Sequence, residues 1–190
     1  FLKIDYTRIM EKKNTKIFII YGKARHGKDT VAGIIEEYYK NEKVINLQIS
    51  SSLKEYAKKI SGWDGMDNET KPRGLLQELG TEIIRNQIDP LFFVKRTIED
   101  LKVYSYFYDV VTISDARLKP EVMMPKKEFD NVYVIKVVRP NFDNGLTQEQ
   151  QNHITETDLD DYTDYDYEII NDSTIEDLKI KVENILKEVK

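Results

Sequence analysis

The sequence predicts an α/β fold in which a parallel sheet carries helices on both faces. Five short runs rich in β-branched and aromatic residues alternate with segments of helical spacing, and a glycine-rich joint follows the first run. This alternation predicts parallel strands, because each return to the sheet passes through a crossover helix. The predicted strands are Lys16–Tyr21, Val44–Ile49, 108–117, 131–139 and 165–172.

Helices are predicted from apolar spacing and from residues that favour helix ends. Val31, Ile34 and Ile35 recur at helical spacing after the first strand. Ser50–Ser52 offers a cap to the second helix, and Pro72 suits the first turn of the third. The predicted helices are Lys28–Lys40, Leu53–Ile60, Pro72–Arg85, Asp89–Val103 and Thr174–Val189.

Length and composition predict one domain over residues 1–190, with its core from about residue 16. The chain has no cysteine, which excludes disulfide scaffolds and thiolate metal sites and fits a reducing, cytoplasmic setting. Its net charge of −5 disfavours long nucleic acid, and no apolar run reaches the roughly 20 residues of a membrane helix. The expected partners are small phosphorylated ligands, and a homodimer is left open.

Gly22, Gly27 and Lys28 match the spacing G-x-x-x-x-G-K, between the first strand and the first helix. Such a loop wraps backbone N–H groups around phosphates, and side chains at the glycine positions would obstruct the turn. The next helix directs its positive amino end at the same anion. A chance glycine-rich turn is the alternative, but strand, loop and helix all stand where the motif requires them. The residues predicted to bind a nucleoside triphosphate are Gly22, Ala24, Gly27, Lys28, Asp29 and Thr30.

Asp29 stands directly after the lysine, where the motif usually has a Ser or Thr that binds Mg²⁺. A carboxylate there can bind the cation directly or through water, so we expect strong dependence on Mg²⁺. The alternative is that Asp29 only places a negative charge in the first helical turn, which the helix dipole favours. The two roles are compatible.

A polar stripe runs along the predicted helix 72–85, where Arg73, Gln77, Thr81 and Arg85 recur every four residues. Most such stripes are solvated faces, but solvated faces usually carry Lys and Glu. Gln77 can pair with the edge of a base, and the arginines can bind a phosphate through two nitrogen atoms. The stripe therefore predicts a second ligand site that faces the loop.

Three further charged positions stand at the carboxyl ends of the third and fourth predicted strands. Asp115 is placed to orient Mg²⁺ or its water, although a strand-end Asp is often only a helix cap. Arg117 can reach a phosphate from the same edge. Arg139 precedes segment 140–164, which is long for a connector and typical of a lid, although it is acidic.

The motifs of this chain resemble, in their order, those of the deoxynucleoside monophosphate kinases of bacteriophages and bacteria. They read "YGKARHGKDTVA", "PRGLLQELGTEIIR", "ISDAR", "HITE" and "IINDSTIEDL", and the resemblance extends from about residue 16 to the end. It implies the P-loop nucleoside monophosphate kinase fold, with three layers and a five-stranded parallel sheet. The implied activity is transfer of a phosphoryl group from ATP, with Mg²⁺, to a (deoxy)nucleoside monophosphate.

The resemblance also implies a role for each matching position. Region 61–103 would bind the monophosphate through Arg73, Gln77 and Arg85, together with Arg117 from outside that region. Segment 140–164 would act as the lid. The residues implied to act in catalysis are Lys28, Asp115, Arg117 and Arg139, those implied to bind Mg²⁺ are Asp29 and Asp115, and Asn171 is implied to lie near the adenine of ATP.

Two departures from the family pattern leave other functions open. Ser173 stands where the closing motif more often has glycine, and the lid is short of basic residues. Another phosphorylated metabolite, such as phosphomevalonate or dephospho-coenzyme A, is an alternative acceptor on the same fold. A nucleotide-binding protein without turnover is the second alternative, and a structural protein with an accidental loop is the third.

Overall fold

The computed structural model describes residues 13–67 and 69–189. Its strands are β1 (Lys16–Tyr21), β2 (Val44–Asn46), β3 (Val110–Ala116), β4 (Val132–Val138) and β5 (Tyr167–Ile170). They form one parallel sheet in the order β2-β3-β1-β4-β5. The predicted five-stranded parallel sheet is confirmed, and β1 with its glycine-rich end lies at the centre.

β1 is apolar along its length because both faces of the sheet are covered at this strand. Phe18 and Ile20 belong to the core on one face, and Ile17, Ile19 and Tyr21 belong to the core on the other. All five side chains are buried. Because the side chains on both faces are packed, β1 gives the following loop a rigid starting point.

Helices on both faces of the sheet complete three layers. They are α1 (Lys28–Tyr38), α2 (Ser51–Ser61), α3 (Arg73–Gln77), a π-helix (Glu78–Ile88), α4 (Phe92–Tyr104), α5 (Lys119–Glu128), α6 (Gln148–Gln151), α7 (Ile154–Thr157) and α8 (Ile175–Glu188). Helices α1 and α8 share the core of Phe18, whereas α4, α5 and the π-helix share the core of Ile17. Within the described ranges, none of these helices has the length and apolar character needed to cross a bilayer.

β2 ends three residues earlier than predicted, at Asn46. The chain then turns away because the amides of Ile49 and Ser50 donate to the Asp115 carboxylate, at 2.9 and 3.1 Å. The Ser50 hydroxyl donates to the same carboxylate at 2.7 Å. Ser50 is the N-cap residue of α2, but its side chain makes no capping bond. For Ser50, the expected helix-capping bond is therefore wrong.

The predicted helix 72–85 begins as α3 and then widens into the π-helix Glu78–Ile88. The backbone amide of Asp89 donates to the Ile84 carbonyl, five residues back, at 2.8 Å. A wider turn changes which side chains share a face, so residues four apart no longer form one stripe. Gln77 is exposed, whereas Arg85 is partly buried.

Two helical stretches lie where the sequence predicted none. Pro125 lies in the interior of α5. Because proline disfavours the inside of a helix, the sequence did not predict this one. Segment 140–164 contains the single-turn helices α6 and α7. These two turns bring the segment over the carboxyl end of the sheet, where the lysine at residue 23 contacts it.

We expect Gly22→Ala to lower the free energy of unfolding by at least about 2 kcal/mol. An added Cβ would lie 2.2 Å from the Val137 carbonyl oxygen, in a backbone conformation with φ of +150°. Gly33→Ala, on the exposed side of α1 with nothing within 4 Å of its Cβ, is the control. It should raise stability by about 0.5–1 kcal/mol. Urea denaturation measures both, and equal stability of the two variants would contradict the close approach.

Candidate active site

The loop from Gly22 to Lys28 joins the central strand to α1, and its glycines stand where the chain comes closest to other groups. Gly22 lies against the Val137 carbonyl. Gly27 has φ of +99°, and a Cβ there would lie 2.7 Å from the side-chain nitrogen of Asn171. Side chains at either position would displace β4 or Asn171. The loop thus keeps its backbone close to the sheet, with α1 beginning directly after it.

Lys28 is buried and folds back over this loop. Its Nζ donates to the carbonyl oxygen of Lys23 at 2.9 Å, and 7% of the residue is exposed. Burial above all, together with the nearby Arg117 guanidinium, lowers the pKa of Lys28 to about 8. The ammonium group is therefore poorly solvated, which favours its pairing with an anion in the loop.

Asp29 lies in the first turn of α1, exposed beside Lys28. Its Oδ1 accepts a hydrogen bond of 2.7 Å from Ser114 at the end of β3. Across residues 13–67 and 69–189 no three Asp, Glu or His side chains converge as a metal site. Mg²⁺ does not require such a cage, since it commonly binds one or two carboxylates together with substrate phosphates and water. The donor set at Asp29 fits that pattern.

Asp115 lies at the same edge, but its carboxylate is engaged with the chain before α2. Both oxygen atoms accept hydrogen bonds, from the amides of Ile49 and Ser50 and from the Ser50 hydroxyl. The carboxylate thereby holds the start of α2 against β3. The assignment of Asp115 to Mg²⁺ or its water stays a prediction.

Arg117 reaches across the loop to the segment 140–164. Its Nη1 donates to Oε1 of Glu156 in α7. The other carboxylate oxygen of Glu156 accepts the backbone N–H of Ala24 at 3.0 Å, and Lys23 donates to the Glu156 carbonyl at 3.0 Å. Glu156 therefore ties the segment both to the glycine-rich loop and to a predicted site arginine.

Two cavities meet at this contact. A cavity of about 250 Å³ lies between the loop, the ends of β3 and β4, and α7, and includes Gly22 and Arg117 in its wall. A more open cavity of about 630 Å³ lies between Gln77 and the segment that carries α6 and α7, with His153 in its wall. Glu156 lines both. The structure thus places Arg117 and the loop in the wall of one cavity and Gln77 in the wall of its neighbour, with Glu156 between them.

The remaining arginines of the predicted stripe lie outside these cavity walls. Arg73 is exposed at the start of α3. Arg85 donates to the Gly80 carbonyl and to Glu121, each at 3.2 Å, and its guanidinium lies 4.7 Å from the ring centre of Phe93. Arg85 is thus bound within the protein, because the π-helix turns it towards α4 and α5.

Arg139 and Asn171 lie on the other side of the loop. The Arg139 backbone amide donates to Nδ1 of His26 at 3.1 Å, and its guanidinium lies 3.9 Å from the ring centre of Phe142. The Asn171 side chain donates to the His26 carbonyl at 3.0 Å. Both residues hold the backbone of the loop in place through His26. Their predicted contacts with the nucleotide stay predictions.

Sequence reasoning gave no site role to Glu121 or Glu156. Glu121 is buried, and its Oε2 accepts the amides of Arg117 and Leu118 at 2.8 and 3.0 Å. Burial raises the pKa of Glu121, while the amide of Arg117 acts in the opposite direction. Glu156 lies far along the chain from Ala24 and Arg117, whereas Glu121 is distant in the chain only from Arg85. Glu156 ends the motif "HITE", but the motif gave it no specific role, and the signal of Glu121 was only a charged residue near a motif, which many exposed glutamates share.

Comparisons with known proteins agree with this geometry. The chain is 28% identical over 190 residues to the deoxynucleotide monophosphate kinase of Enterobacteria phage T4, covering 97% of this chain and 73% of that protein. The APS kinase of Mycobacterium tuberculosis, solved with AMPPNP and APS, superposes with a TM-score of 0.60 at 12% identity, over 92% of this chain and 99% of that chain. A sugar kinase from Janibacter sp. HTCC2649 gives 0.56 at 12% identity, over 92% and 95%.

The two structural matches show the fold alone, which is that of P-loop kinases. The sequence comparisons are more specific. The model of the family described as deoxynucleotide monophosphate kinase matches residues 63–182, well over half of the chain. This match includes α3 with Gln77, the end of β3 with Arg117, and α7 with Glu156. The chain therefore belongs to the deoxynucleotide monophosphate kinase family.

Proposed function

We propose that the protein transfers the γ-phosphoryl group of ATP to the phosphate of a deoxynucleoside monophosphate, giving the diphosphate and ADP. The observation that carries this proposal is a pair of neighbouring cavities, one against Gly22, Lys23 and His26 of the loop and one against Gln77, which share Thr155 and Glu156 in their walls. A donor and an acceptor bound there would meet between the two. The absence of cysteine is consistent with a reducing, cytoplasmic setting.

On the donor side, the loop and the start of α1 offer backbone amides and the amino end of a helix to the triphosphate. Lys28 exchanges its contact with the Lys23 carbonyl for the terminal phosphates. Asn171 holds the loop near the expected position of the adenine. Asp29 and Asp115 would hold Mg²⁺, which would supply neutralisation of phosphate charge when bound.

On the acceptor side, region 61–103 would supply one wall of the monophosphate site, through Gln77 of α3. Gln77 faces the larger cavity and can pair with a base edge. Arg117 and the exposed Arg73 supply positive charge for the acceptor phosphate. Arg85 stabilises this region through its ion pair with the buried Glu121.

The reaction is an in-line displacement. An oxygen of the acceptor phosphate forms a bond to the γ-phosphorus of ATP, the bond from that phosphorus to the β,γ-bridging oxygen breaks, and ADP leaves. The acceptor is already an anion at neutral pH, so the protein needs no general base. Lys28, Arg117 and Arg139 instead bring two repelling polyanions together and neutralise the shared charge. The lid 140–164 excludes water, which prevents hydrolysis of ATP.

The function is tested by an acceptor panel in a coupled assay for ADP release with ATP and Mg²⁺. We expect release with one or more deoxynucleoside monophosphates, and recovery of the matching diphosphate. Dephospho-coenzyme A and phosphomevalonate at equal concentration should give at most background release. Turnover with one of these alone would support the alternative acceptor, and ATP binding without turnover would support a binding protein.

The pKa of Lys28, near 8, predicts an alkaline fall in activity. In the free enzyme the ammonium loses its charge above this pH, so kcat/KM for ATP should fall roughly tenfold per pH unit beyond about pH 8.5. A bound triphosphate stabilises the ammonium, and kcat should therefore stay level to higher pH. The contribution of Lys28 to the free energy of unfolding has the opposite pH dependence. Between about pH 8 and 10.5 the unfolded chain binds more protons than the folded one, so this contribution rises with pH. A level kcat/KM up to about pH 9.5 would contradict this assignment.

The position of Gln77 predicts a selective loss of acceptor binding. Gln77→Ala should raise the KM for the deoxynucleoside monophosphate about tenfold, because a base edge loses two hydrogen bonds. The KM for ATP should stay within about twofold. Glu78→Ala, the exposed neighbour on the same helical segment, is the matched control and should leave both constants unchanged. An equal rise in both KM values would argue for a structural effect instead.

A further inference from the structure

We propose that Glu156 is a positioning residue for phosphoryl transfer, which acts by holding the Arg117 guanidinium and the lid at the glycine-rich loop. The proposal rests on the proposed function and deepens it, since it concerns how an arginine of that site is oriented. Its basis is a set of three contacts that one lid residue makes with groups on two other elements.

The three contacts converge on Glu156 from the loop and from the end of β3. Oε1 accepts Nη1 of Arg117, Oε2 accepts the backbone N–H of Ala24 at 3.0 Å, and the main-chain carbonyl accepts Nζ of Lys23 at 3.0 Å. Both carboxylate oxygens and the backbone of one residue are thus engaged.

Burial makes the carboxylate contacts strong. The Glu156 side chain is 9% exposed, whereas the lid acids Asp160 and Asp161, paired with Lys23 and Lys119, are 52% and 77% exposed. Exposed ion pairs contribute little because water screens them. A carboxylate removed from water needs its partners, so separating Glu156 from Arg117 would leave an uncompensated charge. The lid is therefore held to the loop chiefly at Glu156.

The location of this pair gives it a role in the reaction. Glu156 lines both cavities, so Arg117 is held where the donor and acceptor sites meet. The bond uses Nη1 of the guanidinium, and Nε and Nη2 remain as donors that can reach phosphate oxygens. A guanidinium that is already held by Glu156 loses less conformational entropy when it binds phosphate.

A competing interpretation starts from the same contacts. The Glu156 carboxylate accepts a loop amide and a guanidinium, which are groups that also bind phosphate. If the nucleotide must displace Glu156, removing its charge should tighten ATP binding and should not slow transfer. The two interpretations thus predict opposite results for one substitution.

The test is a double-mutant cycle in the acceptor assay, with Glu156→Gln, Arg117→Ala and the double variant. Glutamine keeps an acceptor for the Ala24 amide but cannot hold the guanidinium by charge. We expect Glu156→Gln to lower kcat about tenfold or more with the dissociation constant of ATP within about twofold. The double variant should be no slower than Arg117→Ala alone. Asp161→Asn, on the exposed part of the lid, is the control and should behave as wild type.

Two measurements keep the result interpretable. Thermal unfolding checks that each variant is folded, and Glu156→Asp, which keeps the charge with a shorter reach, should recover part of kcat. Additive losses in the cycle, an unchanged kcat, or tighter ATP binding in Glu156→Gln would each overturn the proposal. Wild-type turnover in the same assay reports separately on the proposed function, so failure of one is not mistaken for failure of the other.

Discussion

The structure depends on one constraint, which is that the backbone between β1 and α1 must stay close to the sheet with its amides able to bind an anion. Glycine at residue 22 lets the backbone lie against β4, and glycine at residue 27 lets it lie against the Asn171 side chain. Two-sided burial of β1 makes the start of the loop rigid, and α1 follows without an intervening residue. Residues from the surrounding elements bind the loop. Asn171, directly after β5, donates to the His26 carbonyl, and the Arg139 amide, directly after β4, donates to the His26 ring. Glu156 of the lid accepts the Ala24 amide.

Electrostatics explain how an acidic chain can bind two polyanions. The net charge is −5, yet the carboxyl end of the sheet carries Lys28 and Arg117 together. Their repulsion is moderated by internal acids: Glu156 pairs with Arg117, and Glu121 binds both Arg85 and the backbone of Arg117. The site therefore combines cations available to phosphate with buried carboxylates that orient them. Screening by salt should affect the exposed lid pairs more than these buried ones.

What could be predicted from the sequence was local. The strand, loop and helix around Gly22 and Lys28 follow from adjacent residues, and so does the parallel sheet. The position of Arg85 could not be predicted, because it depends on a π-helix and on Glu121, which lies 36 residues further along the chain. The engagement of Asp115 with the start of α2 and the place of Glu156 likewise depend on contacts between distant segments. The four-residue stripe predicted a ligand-binding helix, but it could not show that Arg85 is bound to Gly80 and Glu121 within the protein.

The central claim is that the Gly22–Lys28 loop binds the triphosphate while the monophosphate lies between Gln77 and the lid. Crystals of the protein with a non-hydrolysable ATP analogue, Mg²⁺ and a deoxynucleoside monophosphate would test it most directly. The account predicts a triphosphate enclosed by the loop amides with the Lys28 ammonium on its terminal phosphates, and an acceptor phosphate within reach of Arg117. Nucleotide density away from this loop, or an acceptor bound on the far side of α3, would contradict it.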